Sequence, residues 1–193
     1  MNEESKKSGT RVARYRPKLA FYHPNAKGTG AAVKFELIPA YEDRDGCIMM
    51  TLAAQSSVGD MRASVPVYPR FDWENKVVVK LDFNDLCGVL QVFRGECESV
   101  GDGRGMYHTF AGFSTRIVLR HILEPTSGYS LEVYRSSTRG DDDRRVHLLI
   151  SSIEATGLCE AIAGSMSAIS FGVPTVFVSD SAEAAEGRRS DAA

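Results

Sequence analysis

Cations set an even number of residues apart, with tyrosines among them, are the side chains here whose types and spacing could do chemistry. Lys76 and Lys80 lie on one strand-like segment, Arg116 and Arg120 on another, and Lys34 alternates with apolar neighbours on a third. Successive side chains of an extended chain point to opposite faces, so each pair falls on one face of a sheet. Tyr22, Tyr107 and Tyr134 add flat rings. A surface offering ammonium and guanidinium groups beside such rings can hold phosphates while bases stack, at ~1–3 kcal/mol per stacked base. An ordinary solvated sheet face, or rings packed in a core or an interface, would use the same residues, so the pattern leaves both readings open. Lys27 stands apart because Gly28 and Gly30 flank it, where a backbone can approach a ligand closely; a plain hairpin loop is the other reading.

Residue types for covalent or metal chemistry are present but not gathered. His23, His108, His121 and His147 are scattered, and neither GxSxG nor HExxH occurs. The acids Asp141, Asp142 and Asp143 fall in a charged turn, and Arg139-Gly140-Asp141 reads as turn chemistry. The glycine-rich run at 101–105 has neither GxGxxG nor P-loop spacing and reads as a flexible turn. Cys47, Cys87, Cys97 and Cys159 form no CxxC pair and read as buried free thiols. The sequence therefore reads as a non-enzyme with no cofactor and no metal; a hydrolase would need a cluster of acids or histidines that the linear order does not show.

The elements that must position these residues follow from length and periodicity. The chain has 193 residues, enough for one core or for two half-size repeats that share one. Net charge is −2, so a nucleic-acid site must come from local patterning rather than from an overall basic character. Residues 1–18 read as a disordered basic arm, with Lys6, Lys7, Arg11, Arg14, Arg16 and Lys18, and residues 179–193 as a disordered polar tail. No apolar run is long enough to span a bilayer, and the polar start does not resemble a signal peptide. The expectation is a protein that does not engage membranes and is cytoplasmic, or nucleoid-associated in a bacterium.

Strand patterns occupy residues 31–39, 47–54, 76–81, 116–123, 129–135 and 146–150, bounded by Gly, Pro, Asp or Ser clusters. Two segments change to helical periodicity. In residues 84–94, Leu86, Val89, Leu90 and Phe93 form one face; in 152–171, Leu158, Ile162, Met166 and Ile169 do, interleaved with Gly157, Ala161, Gly164 and Ala168, which suggest a close helix-pair contact. Each helix has an N-cap with an acid three residues on, Asp82 with Asp85 and Ser151 with Glu154. Sliding residues 76–95 onto 145–164 superposes the caps and matches Val77 with Val146, Gly88 with Gly157 and Gly95 with Gly164. The predicted fold is α+β: two repeats, about 19–97 and 104–178, each a four-stranded antiparallel sheet followed by a helix that covers its apolar face.

Arg70-Phe71-Asp72-Trp73-Glu74, the strand at 76–81 and the capped helix from Asp82 together resemble the Whirly proteins of plants. Lys27-Gly28-Thr29-Gly30-Ala31-Ala32 resembles their Lys-Gly-Lys-Ala-Ala-Leu signature, and Met106-Tyr107-His108 their aromatic-aromatic-His stretch after the first helix. The likeness extends over residues 21–174. It departs at Thr29, which replaces the signature's second lysine, and at Phe171-Gly172-Val173-Pro174, where the aromatic-rich end of the second helix would stand.

The resemblance implies single strands bound across the sheets and tetramers assembled through the helices. On that basis Lys27, Gly28, Lys34, Lys76, Lys80, Arg116 and Arg120 are the expected phosphate-side residues, and Tyr107 and Tyr134 the stacking rings. Trp73 reads as structural. The expected ligand is single-stranded DNA with little sequence preference, in replication, repair or transcription regulation. RNA binding or annealing is the alternative on the same fold, and an oligomeric protein-interaction scaffold is the alternative without nucleic acid.

Overall fold

The computed structural model describes residues 18–123, 127–138, 140 and 142–173. The reading of a disordered basic arm at 1–18 lies outside the described residues except at Lys18, which opens the first strand instead because it pairs there with Glu36, and the polar tail at 179–193 lies wholly outside them. The first repeat contributes β1 (Lys18–His23), β2 (Ala31–Ile38), β3 (Cys47–Ser57), β4 (Arg70–Phe71), β5 (Val77–Leu81) and α1 (Phe83–Phe93). A 3-10 turn at Val100–Gly103 leads into the second: β6 (Met106–Phe110), β7 (Phe113–Ile122), β8 (Gly128–Ser137), β9 (Arg144–Ser151) and α2 (Ser152–Phe171).

Both sheets are antiparallel, as the alternating patterns predict. The second is a plain meander, β6-β7-β8-β9. The first runs β1-β2-β3-β5, with the two-residue β4 pairing only to the far end of β3, across a register shift between Gln55 and Ser57. That fifth strand is the one departure from four strands per repeat. It comes from the long excursion between Ser57 and Arg70, which returns the chain alongside the end of β3 before β5 begins.

Each sheet is apolar on one side only. Val33, Phe35, Met50, Leu52, Val77 and Val79 of the first and Ile117, Leu119, Val133, Val146 and Ile150 of the second are buried in one continuous core. Leu86 and Leu90 of α1 and Leu158 and Ile162 of α2 enter the same core. Neither helix could bury its stripe alone, and neither sheet could cover its apolar face alone, so the repeats fold as one unit.

Both predicted capping boxes are present. The Asp82 carboxylate accepts from the Asp85 N–H at 3.0 Å, and the Ser151 hydroxyl from the Glu154 N–H at 3.3 Å, while each first-turn acid accepts from its N-cap N–H. The same two acids hold the repeats together crosswise. His23, at the end of β1, places Nε2 3.1 Å from Glu154 on α2, a close contact rather than an aligned hydrogen bond. His108, on β6, places Nε2 3.0 Å from Asp85 on α1. Each repeat thus reaches to the helix start of the other.

Within the protomer, Gly157 and Gly164 of α2 do not meet a partner helix. Leu158, Ile162 and Ile169 point inward, whereas a Cβ added at Gly157 or Gly164, or at Gly88 of α1, would meet nothing within 4 Å. The stripe faces outward because the helix turns its large apolar residues to the core, which leaves the interleaved small ones on the opposite side. No helix among the described residues is long and apolar enough to cross a membrane.

The shared core carries a direct expectation for Ile162, which is 1% exposed. Ile162→Ala should lower the unfolding free energy by ~2–5 kcal/mol, the range for truncating a well-packed aliphatic side chain. Urea denaturation followed by circular dichroism measures it; a loss well under 1 kcal/mol would mean that α2 is not packed into the core.

Candidate nucleic-acid interface

With the inner faces committed to the core, the outer faces carry what the alternation leaves over. On the second sheet, strand register aligns Tyr107, Arg116, Tyr134 and Arg145 in a single row across all four strands. Ring and cation alternate along it. The Arg116 guanidinium lies 5.9 Å from the centre of the Tyr107 ring, and its Nε donates to the Arg104 carbonyl at 3.0 Å. The Tyr134 hydroxyl donates to Asp143 at 2.8 Å, which raises the phenol's pKa. Arg145 donates to Glu132 at 3.0 Å. Tyr107 is 61% exposed and Tyr134 37%, enough for a planar ligand to reach both rings. Arg120 is on the same face but four pairs away from Arg116 along β7, opposite Ser130.

The first sheet solves the same problem differently. Tyr22 pairs with Ala32, and Ala32 with Ala53; continuing that register brings Lys76 beside Ala53. The two alanines lie on the outer side yet are wholly buried. Rings stand over this end of the sheet: Tyr22 is 5.6 Å from Phe71 and 6.4 Å from Trp73 between ring centres. Lys34 Nζ sits 3.5 Å above the Trp73 ring, a close cation–π contact. Lys18, Lys34, Lys76, Glu36, Thr51 and Trp73 line a depression of about 150 Å³.

Partial burial, then the neighbouring charges of Lys18 and Lys76, push the Lys34 pKa below lysine's ordinary range. Lys18 pairs with Glu36 at 3.3 Å. Three ammonium groups around one carboxylate and one indole make a site whose electrostatics an anion would improve. Lys80 extends the face toward Met49. The two sheets meet where Arg144, held by Asp142 at 2.7 Å, reaches the Lys76 carbonyl at 3.5 Å.

Lys27 is exposed in the turn between β1 and β2, just beyond the end of the sheet where Tyr22 pairs with Ala32. The turn is rigidly built. Asn25 Oδ1 accepts from the Lys27 and Thr29 amides at 3.0 and 3.1 Å, and the Gly28 amide donates to the Asn25 carbonyl at 3.2 Å. The Gln55 amide, buried beneath, accepts from Asn25 and Gly30 and donates to Asn25 and Ser57. Gly28 has φ +72°, and a Cβ on Gly30 would lie 2.2 Å from the His23 carbonyl, so both glycines are required by the turn. Its amides are consumed internally; the loop offers a ligand the Lys27 side chain, not a backbone cradle.

The cations and rings Lys18, Phe71, Trp73 and Arg145 belong to these faces and are not among the sequence-derived site candidates. Arg145 was findable, because the repeat alignment sets it on Lys76. Trp73 was read as structural, and its contact with Lys34 depends on strand pairing that local sequence does not show. Among the described residues, no group of three His, Cys, Asp or Glu side chains is placed to hold a metal.

The architecture is Whirly-like. The chain is similar to the crystal structure of WHY1 from Arabidopsis thaliana, with a TM-score of 0.64 at 15% identity over 92% of this chain and 94% of that one. It is also similar to the plant transcriptional regulator PBF-2, with a TM-score of 0.61 at 15% identity over 82% and 84% of the two chains. A guide-RNA-binding protein complex bound to a guide RNA gives a TM-score of 0.51 at 16% identity over 81% and 93%. Neither family sequence profiles nor curated protein sequences give a match.

Trp73 is the sole tryptophan, which makes the Lys34 contact observable. Its fluorescence should titrate with a midpoint below that of a free lysine, because burial, Lys18 and Lys76 all favour loss of the Lys34 proton. Lys18→Met should move that midpoint upward and Lys34→Met abolish it. A midpoint at or above the ordinary lysine value would contradict the crowding of the three cations.

Proposed function

We propose that this protein binds single-stranded nucleic acid across its two outer sheet faces, with single-stranded DNA as the ligand. The observation that carries the reading is the in-register row Tyr107, Arg116, Tyr134, Arg145, with its counterpart of Tyr22, Trp73, Lys34 and Lys76 on the first sheet. Rings stack bases of any sequence, and cations neutralise phosphates, so the arrangement supports binding with little sequence preference. Lys27 and Lys80 extend the cationic track at its margins, and Arg120 extends it along β7. The protein would protect or organise single strands during replication, repair or transcription. RNA is the second reading, favoured by the guide-RNA complex that shares the fold.

The same reading includes self-assembly through the helices. Ile153 and Phe171 of α2 are 86% and 88% exposed and flank the open Gly157 and Gly164 positions. A tetramer joined along this face would cover them and leave the sheets free for the ligand.

Two outcomes test the proposal. Fluorescence anisotropy with a labelled ~30-nucleotide strand, duplex competitor and matched RNA should give single-strand-selective, salt-sensitive binding. Each phosphate contact contributes about 0.7 to the slope of log affinity against log salt for single strands, so Lys34→Gln with Lys76→Gln should reduce it by about 1.4. An unchanged slope would remove the first sheet from the site. A Cβ at Gly164 would meet nothing within 4 Å, so Gly164→Leu is expected to leave the protomer folded. Light scattering should show it dissociated with its circular dichroism unchanged; an intact oligomer would place the interface elsewhere.

A further inference from the structure

A polyanion-binding face has little use for a carboxylate at its centre, yet the second sheet has one. Glu132 stands mid-strand on β8, opposite Val118 on one side and His147 on the other. With Arg116, Val118, Tyr134 and Arg145 it lines a concavity of about 300 Å³, room enough for a nucleobase, and its side chain remains 32% exposed.

The fold does not require an acid there. In the first sheet the corresponding row is Lys34, Thr51, Val78, where Val78 aligns with His147 in the repeat and Thr51 takes the place of Glu132. Nor does stability require it. The Glu132–Arg145 pair lies in water, with Arg145 67% exposed, and such pairs contribute little. What the pairing does is hold the carboxylate in place. The hydrogen bond from Arg145, with the charges of Arg145, His147 and Arg116, keeps Glu132 below the usual carboxylate range, so at neutral pH it is an acceptor and nothing else.

Resting on the nucleic-acid reading above, we propose that Glu132 reads a base edge and makes the second sheet select guanine and reject thymine or uracil. Guanine presents N1–H and N2–H side by side, two donors that match the two oxygens of a carboxylate. Thymine and uracil present one N–H between two carbonyl oxygens, which a carboxylate repels. Adenine and cytosine each offer one amino group and fall between. The base would stack on Tyr134 while Arg116 and Arg145 take the flanking phosphates. The first sheet, with Thr51 at this position, would bind without that preference.

The test is competition binding of equal-length d(T), d(AT) and d(GT) strands in lithium buffer, which discourages guanine assemblies, to the full chain and to Glu132→Gln and Glu132→Ala. The wild type should prefer d(GT) over d(T) by about tenfold, the scale of one good base-edge contact. Glu132→Gln, which can both donate and accept, should bring the two to near parity by admitting thymine. Glu132→Ala should lose the guanine advantage without gaining thymine. Freeing Arg145 would strengthen all strands alike, so the ratio, not the affinity, is the readout. A wild type without preference, or a ratio that survives both substitutions, would overturn the proposal. A gain for d(AT) equal to that for d(GT) would assign the preference to purine stacking and overturn it too. Failure to bind any strand would instead sink the nucleic-acid reading itself.

Discussion

Two sheets with one apolar face each, and two helices with one apolar stripe each, must share a single core; nearly everything else about this molecule follows from that constraint. The inner faces cannot be relieved by solvent, and neither repeat has enough helix to cover its own sheet. Packing both against the same helix pair leaves the outer faces, among the described residues, as broad strand surfaces open to solvent. It also brings each helix N-terminus beneath the other repeat's leading edge strand. There His23 meets Glu154 and His108 meets Asp85, so the acids that cap the helices also tie the repeats crosswise. The residues just before these histidines are Tyr22 and Tyr107, which point the other way, onto the outer faces. One dipeptide thus fastens the core side and presents a ring on the ligand side, in both repeats.

Duplication explains what the faces share, and divergence explains how they differ. Lys76 and Arg145 occupy equivalent places, as do Tyr22 and Tyr107. Between them, Arg116 and Tyr134 in the second sheet correspond to Ala32 and Ala53 in the first. Large side chains at both positions would leave no room for Phe71 and Trp73, which arrive from the segment inserted between β3 and β5. The first sheet therefore has two alanines in place of Arg116 and Tyr134, and its added rings, Phe71 and Trp73, stand beside Tyr22. A cation–π contact with Lys34 then fixes the indole, where the second sheet uses hydrogen bonds from Tyr134 to Asp143 and from Arg145 to Glu132.

Local features were legible in the sequence because they are encoded locally. Alternation located the inner residues of each strand, and the Asp82/Asp85 and Ser151/Glu154 spacings marked both helix starts, because capping geometry is set within four residues. The internal repeat gave the architecture. What was not legible depends on pairing between distant strands. That Tyr107, Arg116, Tyr134 and Arg145 fall in one row follows from loop lengths and register, and a slip of one residue would have turned the row inward. Trp73 looked structural because nothing near it in sequence announces Lys34. The Gly157 and Gly164 stripe was visible, but periodicity says only that small residues share a face, not whether that face meets the partner helix or solvent.

A chain with a net charge of −2 can still hold a polyanion, because at physiological salt a charge is felt over only about 8 Å and local grouping outweighs the total. The two sheets use that range in opposite ways. On the first, partial burial and then the charges of Lys18 and Lys76 lower the Lys34 pKa, so the free site disfavours the Lys34 charge and an arriving phosphate would relieve it. Raising the pH removes the Lys34 charge and with it the repulsion, so this part of the attraction is present at neutral pH and is lost as pH rises through the lowered lysine value. On the second, Asp143 and Glu132 already balance part of the positive charge and hold their partners in fixed geometry. A phosphate gains less there, but a base meets side chains whose orientation is already set. Under the proposed function, the first sheet would attract the strand and the second would present an ordered surface to its bases.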